Sequence, residues 1–477
     1  MAGLSRPGWQ MKEQTEIRAT GSQPLIRGPD DRRALTVMTV SHGIQHFYVA
    51  GLAVTYPFVV AQFGISYAVL GGVLTAAGLL GGFLQGSAGL LRRLTTRAVL
   101  TAQNAGLAVA SLAAAVAPGF AVFGAARLVG SAASWPQHPV GSAYLSQRFP
   151  NRRATALSWH TAGGSIGTAI VPLLAAAVIA VAGWRWALAA LGGALGIGAL
   201  LVSLALPGDP PPSVARPPHP PAGSRDSVAA DPPHPRADPP HALASPPSPL
   251  ASPPLPVEAE APRPAGAAET GGEGQPNVTV WRLLRRRRVA AVLAASTIAA
   301  GGRGLGTLST YIPAYLRSGL HLPALSVGTL FTVVMVASIG GQILGGMMAD
   351  RFGRVRTLVV VYLAAAAAIA AFGFAGHHLP VLAVLGALVG LLAYAESPLL
   401  QSLFSDLTQD GAARSAFGAF FAIAYGFGAL WLTVIGSVIT TAGFAAAFVT
   451  MAGSFVAAAL IIVVGVREPE SADAARG

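Results

Sequence analysis

The sequence predicts an all-α polytopic membrane protein, with twelve transmembrane helices in two pseudo-symmetric six-helix bundles. Three observations predict this fold class: an apolar composition, twelve long apolar runs, and a repeat that relates the two halves. Hydrophobic residues make up 53% of the 477 positions and charged residues only 10%, and the mean hydropathy is +0.57. Because a soluble domain carries roughly a quarter charged residues, we expect lipid to be the main solvent of this chain.

The apolar runs are long enough to span a bilayer, which takes about 20 residues of helix. The first half is predicted to span at 34–62, 67–91, 98–117, 119–147, 154–182 and 184–206. The second half is predicted to span at 289–316, 324–349, 355–375, 379–405, 413–442 and 444–466.

The two halves repeat each other at a spacing of 257 residues. The matched pairs are Gly71 with Gly328, Thr75 with Thr332, Gln85 with Gln342, Gly89 with Gly346, and Arg97 with Arg354. A little further on, His138-Pro139 matches Ser397-Pro398. Two related six-helix halves are typical of secondary transporters, which bind their solute between the halves near the middle of the membrane.

The chain divides into five predicted segments. Residues 1–33 form a polar tail without the early apolar stretch of a cleavable signal peptide. The six-helix halves cover 34–206 and 281–467, and a second tail covers 468–477. Between the halves, 207–280 contains 22 of the 36 prolines, which predicts a disordered or polyproline-like linker that acts as a tether.

Arginine placement predicts the orientation of the chain. Eighteen arginines lie in the loops on one side: Arg32, Arg33, Arg92, Arg93, Arg97, Arg148, Arg152, Arg153, Arg282, Arg285, Arg286, Arg287, Arg288, Arg351, Arg354, Arg356, Arg414 and Arg467. The loops on the other side contain only Arg185 and Arg317. The protein is expected in a bacterial inner membrane. By the positive-inside rule, both termini and the linker are expected on its cytoplasmic side.

Composition also argues against several other classes of protein. The chain has no cysteine, which excludes disulfides, thiol nucleophiles and cysteine zinc sites. Its net charge of +12 comes from short clusters between apolar runs, so it indicates membrane topology and not nucleic-acid binding. No phosphate-binding GxxxxGK[ST] loop is present, and we expect neither an enzyme nor a cofactor.

The loop after the eighth run carries the most specific motif. It reads GMMADRFGRVR from Gly346 to Arg356 and resembles the G-x-x-x-D-R-x-G-R motif of the major facilitator superfamily. The motif positions are Gly346, Asp350, Arg351, Gly353 and Arg354. The resemblance extends over 34–206 and 282–467, and it implies that this loop latches helices and gates a conformational change. A simpler interpretation is that the loop only anchors the chain at the interface.

The first-half copy of the loop departs from this motif. Arg93 stands where the second half has Asp350, and Thr96 stands where it has Gly353. A latch of the usual form is therefore not expected there.

A narrower resemblance is to the fosmidomycin-resistance branch of the superfamily. It involves the segment His42–Tyr48, the pair His138-Pro139 and the segment Gly163–Leu174. This branch implies proton-driven export of drug-like small molecules. The antiporter signature of the fifth span is incomplete, because Val171 replaces the glycine before Pro172.

Ionisable residues at membrane depth are costly and are functional by default. Of the 19 acidic residues, only Glu396 lies well inside a predicted span, and the deep cations are Arg127 and Arg303. Four histidines lie in spans as well: His42, His46, His138 and His160. The resemblance implies that the first, fourth, seventh and tenth helices line the cavity, and most of these residues lie on those helices.

These positions give the candidate site. Substrate binding is predicted at Arg303, Arg127, His42, His46 and His138, and proton coupling at Glu396 and His46. Structural roles are the alternative. Arg127 could extend to the interface, Glu396 could pair with Arg303, and His138 could bond the backbone freed by Pro139. His160 is expected to be structural. His42 and His46 are spaced i, i+4, which would also suit a metal ion, but the sequence shows no further ligand and none is predicted.

The predicted function is secondary active transport of a small organic solute by alternating access. Two buried cations against one acid favour an anionic or zwitterionic solute, and a proton-coupled exporter is preferred over proton-coupled uptake. The competing class is a membrane sensor that has lost transport, which would also have lost the charges that this chain keeps within its spans. The expected partners are the solute, protons and the lipid bilayer, and the protein is expected to be a monomer.

Orientation can be tested with reporter fusions. A reporter active only in the periplasm should give no signal after residue 240 and a strong one after residue 377, in the loop between the ninth and tenth runs. The reason is the arginine asymmetry. A strong signal at residue 240 would contradict the predicted orientation.

Overall fold

A computed structural model of the chain describes residues 25–85, 93–210, 285–408 and 420–466. Within these ranges the secondary structure is helical, without strands. The first half contains α1 (Pro29–Phe63), α2 (Tyr67–Gln85), α3 (Thr96–Ala115), α4 (Phe120–Ser134), α5 (Gln137–Arg148), α6 (Arg153–Ala182) and α7 (Trp184–Ala205). The second half contains α8 (Arg287–Ala299), α9 (Ser309–Ala314), α10 (Ala324–Phe352), α11 (Arg354–Gly373), α12 (Leu379–Ala393), α13 (Glu396–Asp406) and α14 (Leu430–Gly465). Short 3₁₀ or π turns lie at Pro150–Arg152, Gly304–Leu308, Tyr315–Gly319, Phe421–Gly426 and Phe427–Ala429.

The predicted fold class is confirmed. Ten helical segments of the described ranges are long and apolar enough to cross a membrane. The fourth predicted run is divided between α4 and α5, and α14 bends at Gly443, where φ is 83°. If α4 and α5 together count as one further span and the two parts of α14 belong to separate spans, the described residues are consistent with twelve spans. The tails, the Pro-rich linker from residue 211 onward and the segments 86–92 and 409–419 lie outside the described residues.

The helix is interrupted within two of the predicted runs, and the two breaks are related by the repeat. The fourth run breaks between α4 and α5 at Trp135-Pro136, and the tenth breaks between α12 and α13 at Tyr394-Ala395. Proline has no N–H to donate to the carbonyl four residues earlier, and its ring clashes with that carbonyl. Pro139 and Pro398 stand four residues after Trp135 and Tyr394. The repeated proline therefore accounts for the same break in both halves.

The seventh run, predicted as 289–316, is also broken. α8 ends at Ala299, Arg303 has extended backbone angles, and Gly306 has a φ of 131°. Four glycines between positions 301 and 306 weaken the helix here, because glycine loses the most conformational freedom on folding. The break places Arg303 outside regular helix, in the interior of the second half.

Glycines on α1 and α6 let the two backbones touch. A Cβ on Gly167 would lie 2.1 Å from the carbonyl oxygen of Gly43, and one on Gly163 would lie 2.1 Å from that of Thr39. Small residues at helix contacts are the means by which membrane helices pack closely without a hydrophobic driving force. The Gly-rich segment of α6 thus packs directly against the backbone of α1.

The two halves pack directly on each other. The Thr75 hydroxyl of α2 donates to the carbonyl oxygen of Ala429, directly before α14, at 2.7 Å. Nearer the end opposite the loop between α10 and α11, the Tyr67 and Ser318 hydroxyls are 2.8 Å apart. We call the end that carries this loop, with Arg351 and Arg354, the arginine-rich end.

The α1–α6 contact can be tested by adding a side chain. Gly167→Val should lower the melting temperature of the detergent-solubilised protein, because overpacking costs about 1–3 kcal/mol and backbone cannot move aside easily. Gly193→Val is the matched control, since a Cβ there meets no atom within 4 Å. Equal melting temperatures for the two variants would contradict the close contact.

Candidate functional site

A cavity of about 180 Å³ lies between the two halves. The first half contributes residues of α1, α2 and α4 to its lining, and the second half contributes residues around α9 and α14. Its polar lining consists of Tyr48, Tyr56, Arg127, Ser131, Ser134, Ser309 and Thr310. A cavity at the interface of two related halves is where secondary transporters bind solute.

Arg127 is the cation that lines this cavity. Its Nη1 donates to the Tyr48 hydroxyl at 2.6 Å, and the guanidinium carbon lies 5.2 Å from the centre of the Tyr48 ring. Its Nε has no hydrogen-bond partner. The ion pairs found in the described ranges do not include Arg127. A partly buried positive charge therefore lines the space between the halves, and one of its buried donors has no partner.

Gly130 makes the Arg127–Tyr48 contact possible. It lies one helical turn after Arg127 on α4, and a Cβ there would lie 1.7 Å from the Tyr48 hydroxyl oxygen. Any other residue would push the tyrosine away from the guanidinium. Sequence reasoning missed both Tyr48 and Gly130, although each stands within three residues of a predicted site residue.

Arg303 and Glu396 form a buried, two-pronged ion pair. The Arg303 Nε donates to Oε2 at 3.1 Å and Nη2 to Oε1 at 3.0 Å, while the Ser397 hydroxyl donates to Oε2 at 2.9 Å. The two residues are only 4% and 0% exposed. Arg303 Nη2 also donates to the carbonyl oxygen of Ser296 at 2.6 Å. Paired in this way, neither residue lines the cavity that contains Arg127.

The four predicted histidines come together where α1, α5 and α6 meet. His42 Nδ1 lies 2.7 Å from the carbonyl oxygen of His160, and His46 Nδ1 lies 2.7 Å from the Thr168 hydroxyl oxygen. The Nε2 atoms of His42 and His46 are 3.1 Å apart. The His138 ring lies 5.0 Å from that of His42. His42 is buried, His46 is half-buried and His138 is exposed, so the cluster opens on one side.

Two neighbours fix the His42 ring. The His160 ring stacks on it with centres 4.0 Å apart, and His160 Nδ1 is bonded to the Met38 carbonyl oxygen at 3.2 Å. On α6, a Cβ on Gly164 would lie 2.7 Å from His42 Cε1, so glycine leaves room for the imidazole. Sequence reasoning missed Thr168 and Gly164, which act from the helix packed against α1.

The loop between α10 and α11 contains the motif residues. Gly353 joins α10 to α11 with a φ of 87°, which favours glycine. Arg354 forms an ion pair with Asp406 at the end of α13, and its Nη1 also donates to the Ser402 carbonyl oxygen at 3.4 Å. Gly346, Asp350 and Arg351 are exposed at the arginine-rich end. A latching role for this loop stays a prediction.

The first-half copy of the loop is built differently. Thr95 caps α3 by accepting from the Ala98 N–H at 3.2 Å, and the Asp209 carboxylate accepts from the Thr96 N–H at 3.0 Å. An acidic residue from the segment after α7 thus accepts a hydrogen bond from a free backbone N–H group at the N-terminus of α3. The positions from Gly89 to Arg92 lie outside the described residues.

The helical fold and the cavity between its halves define a membrane transporter. Residues 38–327 and 304–476 match the Major Facilitator Superfamily in two overlapping segments. The chain belongs to this family, and membership points to a transporter and not to an enzyme.

Solved structures share the fold. A point mutant of the nucleoside transporter NupG is 15% identical, with a TM-score of 0.68 over 91% of this chain and 100% of that one. A D-xylose–proton symporter is 14% identical, with a TM-score of 0.63 over 91% and 98%. A bacterial homologue of the human lysosomal transporter Spinster is 13% identical, with a TM-score of 0.62 over 92% and 96%. No curated protein sequence matches the chain.

The buried pair predicts a non-additive effect on stability. Arg303→Leu or Glu396→Leu alone should destabilise the protein by about 3–5 kcal/mol, because each leaves one buried charge without its partner. The double variant should recover most of that loss. Chemical unfolding in detergent micelles measures it, and additive losses in the double variant would contradict the pairing.

Proposed function

We propose that this protein is a secondary active transporter that binds a small organic anion at Arg127. The observation that carries the proposal is a guanidinium which lines the cavity between the halves, has an unsatisfied Nε, and forms no ion pair with a described carboxylate. A buried charge is stabilised only when it is paired and hydrogen-bonded. An anionic solute would supply that partner at the position where the family binds its solutes.

The rest of the lining suits a small, partly polar molecule. Tyr48 and Tyr56 flank Arg127 in the same cavity, and Ser309 and Thr310 reach it from the second half. Hydroxyl groups both donate and accept, so they can bond to the polar groups of a solute in either half. A solute held between Arg127 and these residues would contact both halves, which alternating access requires.

Glu396 is the proposed proton carrier. A driving ion must bind in one conformation and leave in the other. Glu396 begins α13 directly after a helix break and is paired with Arg303 on another broken span. Movement of either segment would separate the two charges, which would link the ion pair to the conformational change. The proton symporter among the similar structures supports proton coupling in this fold.

Direction, location and segment boundaries complete the proposal. Export is favoured by the resemblance to the fosmidomycin-resistance branch, whose segments His42–Tyr48 and Gly163–Leu174 meet at the α1–α6 contact. The arginine asymmetry supports a bacterial inner membrane with the arginine-rich end in the cytoplasm. The halves 34–206 and 281–467 would then move against each other, with 207–280 as the tether.

Arg127 can be tested in proteoliposomes offered a panel of small organic anions and their neutral amides. Wild-type protein should transport at least one anion but not its amide, and Arg127→Gln should lose most of that transport. Arg285→Gln, which removes an exposed arginine, is the control and should transport normally. Unchanged transport by Arg127→Gln would refute the anion site.

Glu396→Gln separates coupling from transport. The amide resembles the protonated acid, so the variant should exchange labelled for unlabelled solute across the membrane but not accumulate solute under an imposed pH difference. The ratio of accumulation to exchange measures the effect. A Glu396→Gln protein that still accumulates solute against its gradient would show that the proton is carried elsewhere.

A further inference from the structure

The hydrogen bonds around His42 determine which of its nitrogens carries a proton. A carbonyl oxygen can only accept, so the His42 Nδ1 that lies 2.7 Å from the His160 carbonyl must carry a hydrogen. In the neutral ring, Nε2 then has a free lone pair. The His42 Nε2 lies 3.1 Å from the His46 Nε2.

The same reasoning applies to His46. The Thr168 hydroxyl lies 2.9 Å from the Gly164 carbonyl oxygen, and its single hydrogen serves that bond. His46 Nδ1, at 2.7 Å from the hydroxyl oxygen, is then the donor, which leaves the His46 Nε2 with a lone pair too. Two lone pairs face each other across 3.1 Å. Two facing lone pairs repel each other. The repulsion is removed if both nitrogens bind a cation. It is also removed if the Thr168 hydroxyl donates to His46 Nδ1 instead of to Gly164, because the His46 proton is then on Nε2.

A third imidazole completes a group of ligands. His138 lies on the first turn of α5, just after the helix break, and one ring nitrogen from each of the three residues falls within 4.8 Å of the others. Two nitrogens bound to one tetrahedral zinc ion are about 3.4 Å apart, given zinc–nitrogen bonds of about 2.0–2.1 Å. The His42–His46 separation is close to that value, and His138 needs only a small movement to join them.

We propose that His42, His46 and His138 bind a divalent transition metal ion of the zinc, nickel or cobalt class. Neutral imidazoles suit these ions, whereas calcium and magnesium need oxygen ligands. Metal-binding histidines almost always donate their other N–H to a carbonyl or similar group. His42 does so to His160, and His46 does so to Thr168. The exposed side of His138 provides access and leaves the fourth position for water or a solute group.

The proposed metal site is distinct from the proposed anion site. His46 lies two residues before Tyr48, the tyrosine that bonds to Arg127. The two sites are built from different residues, so metal binding stands or falls independently of anion transport.

Metal binding is measured on the full chain, purified with a tag that lacks histidine and incubated with Zn²⁺, Ni²⁺ or Co²⁺ alone. After desalting, wild-type protein should retain one equivalent of at least one of these metals, and bound Co²⁺ should show the visible absorption of a tetrahedral nitrogen site. His46→Gln and His138→Gln should lose the ion, whereas His46→Asp, which keeps a ligand atom, should retain it. A folding defect would not produce that difference.

Two further variants complete the test. Thr168→Val should weaken binding by about 10–100-fold, the usual effect of removing the partner of a metal-binding histidine. The double variant His377→Gln/His378→Gln removes two exposed histidines from the loop before α12 and should bind normally. The proposal is overturned if wild-type protein retains no metal and instead takes up one proton at the His42–His46 pair. It is also overturned if binding survives both His46→Gln and His138→Gln.

Discussion

The constraint on which this structure depends is that a charge within a membrane span must have a partner. Arg303 and Glu396 meet it by pairing with each other, with Ser296 and Ser397 completing their hydrogen bonds. Arg127 meets it only in part, through the hydroxyls of Tyr48 and Tyr56. The two arginines therefore differ in role. Arg303 stabilises the interior of the second half through its ion pair, and Arg127 is available to a solute.

The backbone is arranged to meet this constraint. Prolines at equivalent positions break the fourth and tenth spans, and a group of glycines breaks the seventh. Each break lies beside a polar residue: His138, Glu396 or Arg303. A helix end exposes backbone groups and lets a side chain leave the regular helical direction. Three of the four helices expected to line the cavity, the fourth, seventh and tenth, are thus irregular within the membrane, whereas α1 is continuous.

Much of the fold could be predicted because membrane spans are defined by length and hydropathy, which are local properties of the sequence. The breaks were missed for the opposite reason, since a proline inside an apolar run does not interrupt its hydropathy. The identity of the charged residues was also local information. Which of them pair was not: Arg303 and Glu396 are 93 positions apart, and only the packing of α13 against the broken seventh span brings them together. Thr168 and Gly130 carry no charge and were overlooked because their effect is exerted on a neighbouring helix.

Ligand-induced stabilisation tests the role of Arg127 most directly. Purified protein would be heated with each member of a panel of organic anions, and the change in melting temperature measured for wild-type, Arg127→Lys and Arg127→Gln protein. We expect an anion that stabilises wild-type protein to stabilise the lysine variant less and the glutamine variant not at all. Equal stabilisation of the wild-type and Arg127→Gln proteins by every such anion would contradict an anion site at Arg127.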